Sequence, residues 1–193
     1  MTVQRLQGYL IAAALVLITV VLRAEGDATM SLAVPDVGLR DQNGKLVHVY
    51  SDLIRGNVVV MNFIFTSCTT ICSPMGANFG ELQSHVGPDV RLISISIDPA
   101  VDTPARLKLW GTRFHAGPSW TLLTGSHQDV ERLLKALGTY TPNRFNHAPI
   151  LLVGDGRSNR WIRASGLVAP HEVVRLIALA RAPVTASAEV SRR

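Results

Sequence analysis

The strongest constraint on the fold is a nearly continuous apolar run over residues 57–65 that ends shortly before the chain's only two cysteines. Its β-branched residues are typical of a strand that lies in the middle of a sheet and is covered by helices on both faces. After the cysteines, apolar residues recur at helical spacing to about residue 85, and Pro74 is tolerable near the start of such a helix. The sequence therefore predicts a central buried strand, a cysteine-bearing loop and a helix, in that order.

Strands and helices alternate along the rest of the chain. Further strands are predicted over residues 90–97, 120–123, 150–153 and 160–164, and further helices over about 103–115, 126–137 and 170–181. Upstream, Asn43-Gly44 is the turn signal of a hairpin between short strands within residues 37–49. This order predicts an α/β fold of the thioredoxin-like kind: a central mixed sheet flanked by helices, preceded by an N-terminal hairpin.

An apolar segment near the N-terminus predicts export from the cytoplasm. Residues 9–22 contain one clearly polar side chain, Thr19, and follow Arg5. As a helix the segment would be about 21 Å long, short of the roughly 30 Å hydrocarbon core, so a membrane anchor and a secretory signal peptide both fit. A buried core helix is the third interpretation. We expect an anchor or signal over residues 1–23, a linker over 24–33, one domain over 34–181 and a flexible tail over 182–193.

Composition excludes two classes of protein. Hydrophobic residues make up 47% of the chain and charged residues 17%, which is incompatible with a disordered chain. The formal net charge of +5 comes from scattered residues. A nucleic-acid-binding protein requires a clustered basic face interleaved with aromatic residues, and the sequence has none, so no nucleic-acid partner is predicted.

Cys68 and Cys72 are the first candidate functional residues. A disulfide that closes so small a loop stabilises a fold little, so a redox or metal-binding role is favoured over a structural one. The free N–H groups and the positive dipole at a helix N-terminus stabilise a thiolate. Residues four apart on a helix share a face, so the two sulfur atoms could bind one soft cation or form a disulfide.

Three further residues are expected at the same edge of the sheet. Asp98 and Asp102 follow the second predicted central strand, where α/β sheets place their sites, although Asp98 could simply form a turn and Asp102 could simply cap a helix. His147 directly precedes the strand over 150–153, and in a thioredoxin-like sheet that loop faces the cysteine helix. A lone histidine in a loop is more commonly a solvated side chain. Two thiolates and an imidazole suit copper or zinc.

The sequence resembles the Sco/SenC proteins, thioredoxin-like copper-binding factors for assembly of cytochrome c oxidase. The resemblance spans about residues 34–177 and rests on the cysteine motif 68–72, the aspartate motif 98–104 and His147. It implies that Cys68, Cys72 and His147 bind one copper ion, as Cu(I), Cu(II) or both. It also implies that Asp98 and Asp102 tune the site or shape a docking surface.

Two positions depart from the family pattern. Asn146 stands where an aspartate often precedes the histidine, which puts a carboxylate effect on the basicity of the imidazole in doubt. Ser73 separates Cys72 from Pro74, where a proline commonly follows the second cysteine directly. Neither change removes a candidate ligand.

The sequence favours a membrane-tethered copper chaperone whose domain faces the periplasm or an equivalent space. Its partner would be the copper-accepting subunit of cytochrome c oxidase, with delivery to the binuclear copper site. The main alternative is a thiol–disulfide oxidoreductase that reduces the cysteines of that site, with Cys68 as nucleophile and His147 dispensable. A peroxiredoxin-like peroxidase is less favoured, because Thr66 is near but no arginine lies in the motif. A copper sensor remains a further alternative.

Overall fold

The computed structural model describes residues 29–182 and contains one seven-stranded mixed sheet in the order β2-β1-β5-β4-β3-β6-β7. The strands are β1 Gly38–Asp41, β2 Leu46–His48, β3 Val58–Ile64, β4 Val90–Ser96, β5 Trp120–Thr124, β6 Ile150–Asp155 and β7 Arg160–Ser165. The helices are α1 Cys72–Leu82, α2 Pro104–Thr112, α3 His127–Ala136 and α4 Pro170–Arg181. The predicted alternation of strands and helices is confirmed.

The central strand β3 is buried along its whole length. It pairs in parallel with β4 and antiparallel with β6, so it has a hydrogen-bonded neighbour on each side. Successive side chains of a strand point to opposite faces, and both faces of β3 are covered. Val58, Val60 and Ile64 pack against α1, α2 and α4, whereas Val59 and Met61 pack on the side of α3.

The N-terminal hairpin forms where the Asn-Gly signal predicts it. Asp41 Oδ1 accepts hydrogen bonds from the backbone N–H groups of Asn43 at 2.8 Å and Lys45 at 2.9 Å. Gly44 has a φ of 82°, a conformation that favours glycine. The hairpin joins the edge of the sheet because β1 pairs antiparallel with β5.

Two features differ from the sequence-based expectation. After β2, residues Val49–Ile54 form a short π-helical segment whose first turn is held by Asp36, which accepts hydrogen bonds from the N–H groups of Tyr50 and Ser51. Within the predicted linker, Met30 exchanges backbone hydrogen bonds with Trp161 of β7 at 2.8 and 2.9 Å. The chain therefore packs on the sheet from Met30 onward.

The predicted apolar helix over residues 9–22 and most of the predicted tail lie outside the described residues. Within residues 29–182, no helix is both long and apolar enough to cross a membrane.

Candidate metal centre

Both cysteines follow the carboxyl end of β3, one in the loop that leads to α1 and the other at the start of that helix. Cys68 is in the loop, where its backbone N–H donates to the carbonyl of Phe65 at 3.1 Å. Cys72 is the first residue of α1 and is completely buried, whereas 8% of Cys68 is exposed. Both are free thiols. The buried strand thus delivers both sulfur atoms to one edge of the sheet.

His147 reaches the same point from the other side. It follows a short 3₁₀ turn, Arg144–Asn146, and leads into β6, the antiparallel neighbour of β3. Its Nε2 atom lies 3.9 Å from Sγ of Cys72, although the two residues are 75 positions apart. The loop before β6 therefore faces the start of α1, as expected from the sequence.

The orientation of the imidazole is fixed by its other nitrogen. Nδ1 lies 3.0 Å from the backbone carbonyl oxygen of Arg144. Since a carbonyl oxygen can only accept a hydrogen bond, Nδ1 carries the proton in the neutral ring and Nε2 presents a lone pair. Phe65 supports the ring edge-on, with 5.5 Å between centroids. Burial lowers the pKa of His147 and so favours the neutral ring that binds metals.

The separation of Cys72 and His147 is compatible with one shared metal ion. A metal with bonds of about 2.3 Å to sulfur and 2.0 Å to nitrogen, the lengths found for zinc, can bridge two atoms 3.9 Å apart. Cys68 is turned toward Thr70, with 3.7 Å between Sγ and Oγ1. Within residues 29–182, no three side chains of Cys, His, Asp or Glu converge as a complete metal site. The structure therefore brings Cys72 and His147 together, and Cys68, whose thiol contacts that of Cys72, would have to turn away from Thr70 to complete the set.

The two thiols differ in acidity. Burial raises the pKa of Cys72 to about 12, and its contact with the Cys68 thiol adds to the increase. Burial acts in the same direction on Cys68, but hydrogen bonds from Cys72 and Thr70 outweigh it and lower the pKa of Cys68. At neutral pH Cys72 is thus a protonated thiol, and its sulfur lies 3.9 Å from Nε2 of His147. Cys68 is the more readily ionised sulfur.

Asp102 is buried under the cysteine loop instead of capping α2. Its carboxylate accepts hydrogen bonds from the backbone N–H of Thr66 at 3.0 Å, from the Thr66 hydroxyl at 2.5 Å and from the Ser96 hydroxyl at 2.7 Å. The cap of α2 is Thr103, which accepts from the N–H of Arg106 at 3.3 Å. Asp102 therefore ties the start of the cysteine loop to the end of β4.

Asp98 is connected to the histidine through Arg144. Asp98 is 6% exposed, and its Oδ2 lies 3.3 Å from Nε of Arg144 in an ion pair that lacks hydrogen-bond geometry. Arg144 is the residue whose carbonyl holds Nδ1 of His147. The two aspartates thus support the two sides of the site: Asp102 the cysteine loop and Asp98 the histidine loop.

Sequence reasoning missed several residues that surround the site. A pocket of about 240 Å³ opens beside Cys68 and is lined in part by Phe65, Phe145 and His147. Phe145 is 70% exposed, and the Arg144 guanidinium lies over its ring at 4.7 Å. The available signal for Arg144 and Phe145 was their position three and two residues before His147 in the sequence.

Arg106 is another residue near the site that the sequence did not indicate. Its Nε donates to the hydroxyl of Thr66 at 3.3 Å, from forty positions along the chain. An arginine therefore does lie close to the cysteine loop, so the lack of one in the motif does not argue against a peroxidase. No signal in the sequence indicates this contact.

Residues 29–152, more than half of the chain, match the family model SCO1/SenC. The chain belongs to the SCO1/SenC family. The match covers the hairpin, the cysteine loop, both aspartates and His147.

Relatives and solved structures agree with this membership. The SCO1 protein homolog of Bacillus subtilis is 40% identical over 97 residues, which are 48% of this chain and 49% of the relative. This SCO1/SenC chain thus matches about half the length of that relative. The structure of BsSco, described as a member of the Sco family of cytochrome c oxidase assembly proteins, superimposes with a TM-score of 0.67 and 27% identity. That alignment covers 79% of this chain and 95% of BsSco.

A copper-bound relative has the same fold. The structure of Bradyrhizobium japonicum ScoI with copper bound superimposes with a TM-score of 0.63 and 23% identity over 77% of this chain and 99% of ScoI. The mixed sheet flanked by helices is therefore the thioredoxin-like fold of Sco structures.

Proposed function

We propose that this SCO1/SenC protein is a copper metallochaperone. It binds one copper ion through Cys68, Cys72 and His147 and delivers it to the binuclear copper site of cytochrome c oxidase during assembly. The copper-accepting subunit of the oxidase is its partner. The ion is cargo, so it has to be held tightly enough for selectivity and released by exchange with the ligands of the acceptor.

One observation carries the proposal: Nε2 of His147 lies 3.9 Å from the sulfur of Cys72, while Nδ1 lies 3.0 Å from the carbonyl oxygen of Arg144. Thiolates select soft ions and imidazole suits copper, so the donor set fits Cu(I) and Cu(II). On metal binding, Cys72 loses its thiol proton and the metal takes the place of that proton. Rotation of Cys68 away from Thr70 completes the three-ligand set.

The surroundings of Cys68 are suited to transfer. The sulfur lies beside a pocket that is open to the surface, next to the exposed ring of Phe145. A three-coordinate ion at that position leaves one direction open to an incoming thiolate. Because both cysteines must be reduced to bind metal, oxidation to a disulfide would switch the chaperone off.

The proposed location is extracytoplasmic. Residues 1–23 act as membrane anchor or signal segment, and the domain over residues 34–181 lies in the periplasm or an equivalent space. The apolar composition of residues 9–22 supports this location. Tethering would hold the chaperone on the same membrane as its oxidase partner.

An anaerobic copper titration of the reduced full-length chain in neutral detergent tests copper binding. We expect one equivalent to bind, with thiolate-to-Cu(II) absorption in the visible range. His147→Ala should weaken binding by more than the about 10–100-fold that loss of an outer-shell partner costs. His48→Ala is the matched control, because His48 is exposed on β2 and should leave the titration unchanged. Copper affinity that survives His147→Ala would refute the three-ligand site.

A second function is favoured by the difference in thiol acidity. A readily ionised Cys68 next to a protonated Cys72 is the arrangement of a thiol–disulfide oxidoreductase, with Cys68 as the attacking sulfur. Such an enzyme would reduce the cysteines of the oxidase copper site. Disulfide-reductase activity that is lost in Cys68→Ser and retained in His147→Ala would support this function in place of the chaperone.

A further inference from the structure

A second pocket adjoins the cysteine loop on the side away from His147. It is lined by Thr66, Arg106, Leu109, Trp110 and Arg113 and has a volume of about 240 Å³. Thr66 begins the cysteine loop, so the pocket lies immediately next to the proposed copper site. None of the lining residues is among the predicted metal ligands.

The lining offers hydrogen-bond donors and positive charge, without a carboxylate. Arg106 and Arg113 are seven residues apart on one face of α2 and its C-terminal extension, a rise of about 10 Å. Between them Leu109 is 70% exposed. Trp110 is 2% exposed, and its indole Nε1 is buried without an acceptor among residues 29–182. Buried donors are nearly always paired, so an unpaired indole N–H calls for an explanation.

The positive charge of α2 is unlike that of the neighbouring helices. On α3, Arg132 pairs with Asp129 and Lys135 with Glu131; on α4, Arg181 pairs with Asp89. In the part of the chain that the structure describes, no carboxylate lies within ion-pair distance of Arg106, Lys108 or Arg113. The contacts of the two arginines are instead with the Thr66 hydroxyl and the Phe114 ring. Their charge is therefore available to a partner.

We propose that this α2 pocket, lined by Thr66, Arg106, Leu109, Trp110 and Arg113, docks an acidic segment of a partner protein. An Asp or Glu side chain of the partner enters between the two guanidinium groups, and an apolar side chain packs on Leu109. Arginine is the cation that binds a carboxylate with two parallel hydrogen bonds. The three cations of α2 are fewer than the four to eight basic residues typical of lipid-binding clusters, which favours a protein over a membrane surface.

This docking site extends the proposed function. The pocket lies on one flank of the cysteine loop and exposed Phe145 lies on the other, so a partner bound to the α2 pocket would lie over Cys68. If the chain is a copper chaperone, that partner is the copper-accepting oxidase subunit.

The indole N–H groups provide a direct measurement. The full-length ¹⁵N-labelled chain is placed in nanodiscs of neutral lipid and titrated, copper-free and reduced, with the soluble copper domain of the oxidase subunit. We expect the Trp110 indole resonance to shift. Trp120 and Trp161 are internal controls, because their N–H groups already donate to Ser94 at 2.9 Å and Asn159 at 2.8 Å and should not respond.

Two variants test the charge and the apolar contact without touching Arg106, which also holds Thr66. Arg113→Glu should weaken acceptor binding at least about 10-fold at low ionic strength and remove most of its salt dependence. Leu109→Ser should weaken binding and leave the salt dependence intact. Arg91→Glu and Leu46→Ser are matched controls, because both residues are exposed and lie outside the α2 pocket, on β4 and β2.

The outcomes separate this proposal from the chaperone. Acceptor binding that leaves the Trp110 indole unshifted, or that tolerates Arg113→Glu, would overturn the docking site whatever the protein does with copper. A Trp110 shift caused by nanodiscs containing phosphatidylglycerol, and not by the acceptor, would overturn it in favour of a lipid surface. Absence of copper binding by the wild-type chain would refute the chaperone, and the copper-free docking titration would still be decisive for the pocket.

Discussion

Asp98 forms an ion pair with Arg144, with 3.3 Å between Oδ2 and Nε. The backbone carbonyl of the same Arg144 accepts the hydrogen bond from Nδ1 of His147. A carboxylate is therefore connected to the imidazole through Arg144, even though Asn146 stands where the family often has aspartate. The connection joins the loop that carries His147 to a side chain that follows β4, two strands away from β6.

The first prediction concerns this pair. Asp98→Asn removes the charge that holds Arg144, so the loop carrying His147 should lose its fixed orientation. We expect copper affinity to fall about 10-fold, within the range for outer-shell partners of metal ligands. The measurement is a competition titration with a chelator, together with the visible Cu(II) spectrum, which should shift because the imidazole is repositioned.

Asp129→Asn is the control for Asp98→Asn. Asp129 also pairs with an arginine, Arg132, at 2.8 Å, but on the exposed surface of α3. Copper affinity and spectrum should be unchanged in this variant. An Asp98→Asn variant with the wild-type affinity and spectrum would show that Asp98 does not position His147.

The second prediction concerns the reactivity of the thiols. Because the pKa of Cys68 is lowered from 9.0 and that of Cys72 is raised to about 12, Cys68 should react first with iodoacetamide in the reduced protein. Its rate should rise with pH and reach half of its maximum below pH 9, and Cys72 should stay slow up to about pH 11. Peptide mass spectrometry after timed alkylation measures both rates. Equal rates at pH 8 would contradict the assignment.

The third prediction concerns Asp102. Its carboxylate accepts hydrogen bonds from Thr66 and Ser96 in a fully buried position. Asp102→Asn replaces one acceptor oxygen by a donor that faces other donors, so the free energy of unfolding should fall by about 1–3 kcal/mol. Asp89→Asn is the control: Asp89 pairs with Arg181 on the surface, and its loss should cost less than about 0.5 kcal/mol. Urea unfolding of both variants makes the comparison.

The sequence predicts those parts of the site that depend on the order of elements. A buried strand that ends in a cysteine loop fixes the edge of the sheet where both sulfur atoms lie. The position of His147 directly before the strand paired with β3 then brings it to Cys72. Periodicity and topology are sufficient for these conclusions because they concern backbone placement.

Side-chain partners could not be predicted in the same way. Asp102 stands next to the N-terminus of α2, so the sequence is equally compatible with a helix cap and with a residue of the site. In the structure Thr103 is the cap, and the Asp102 side chain turns inward to Thr66. Arg106 meets Thr66 from forty positions away. Such contacts are set by the packing of α2 on the sheet, and the amino-acid pattern of α2 does not record which loop its exposed face adjoins.

The fourth prediction concerns the stability of the reduced protein in alkali. The pKa of Cys72 is about 12 in the folded protein, against 9.0 for a free thiol, so the folded state holds this proton more tightly than the unfolded chain does. The stabilising contribution of the Cys72 thiol is therefore complete below about pH 9 and is lost as the pH rises toward 12. In Cys72→Ala this loss is absent.

We expect the difference in urea midpoint between the reduced protein with Cys72 and the protein with Cys72→Ala to shrink steadily from pH 8.5 to 11. Both proteins carry Cys68→Ser, because Cys72 lowers the pKa of Cys68 and that contribution would not cancel in the difference. Burial, the largest cause of the raised pKa of Cys72, is still present in this background. A difference independent of pH over this range would mean that the folded protein ionises Cys72 as easily as the unfolded chain does, and the description of Cys72 as the protonated thiol would be wrong.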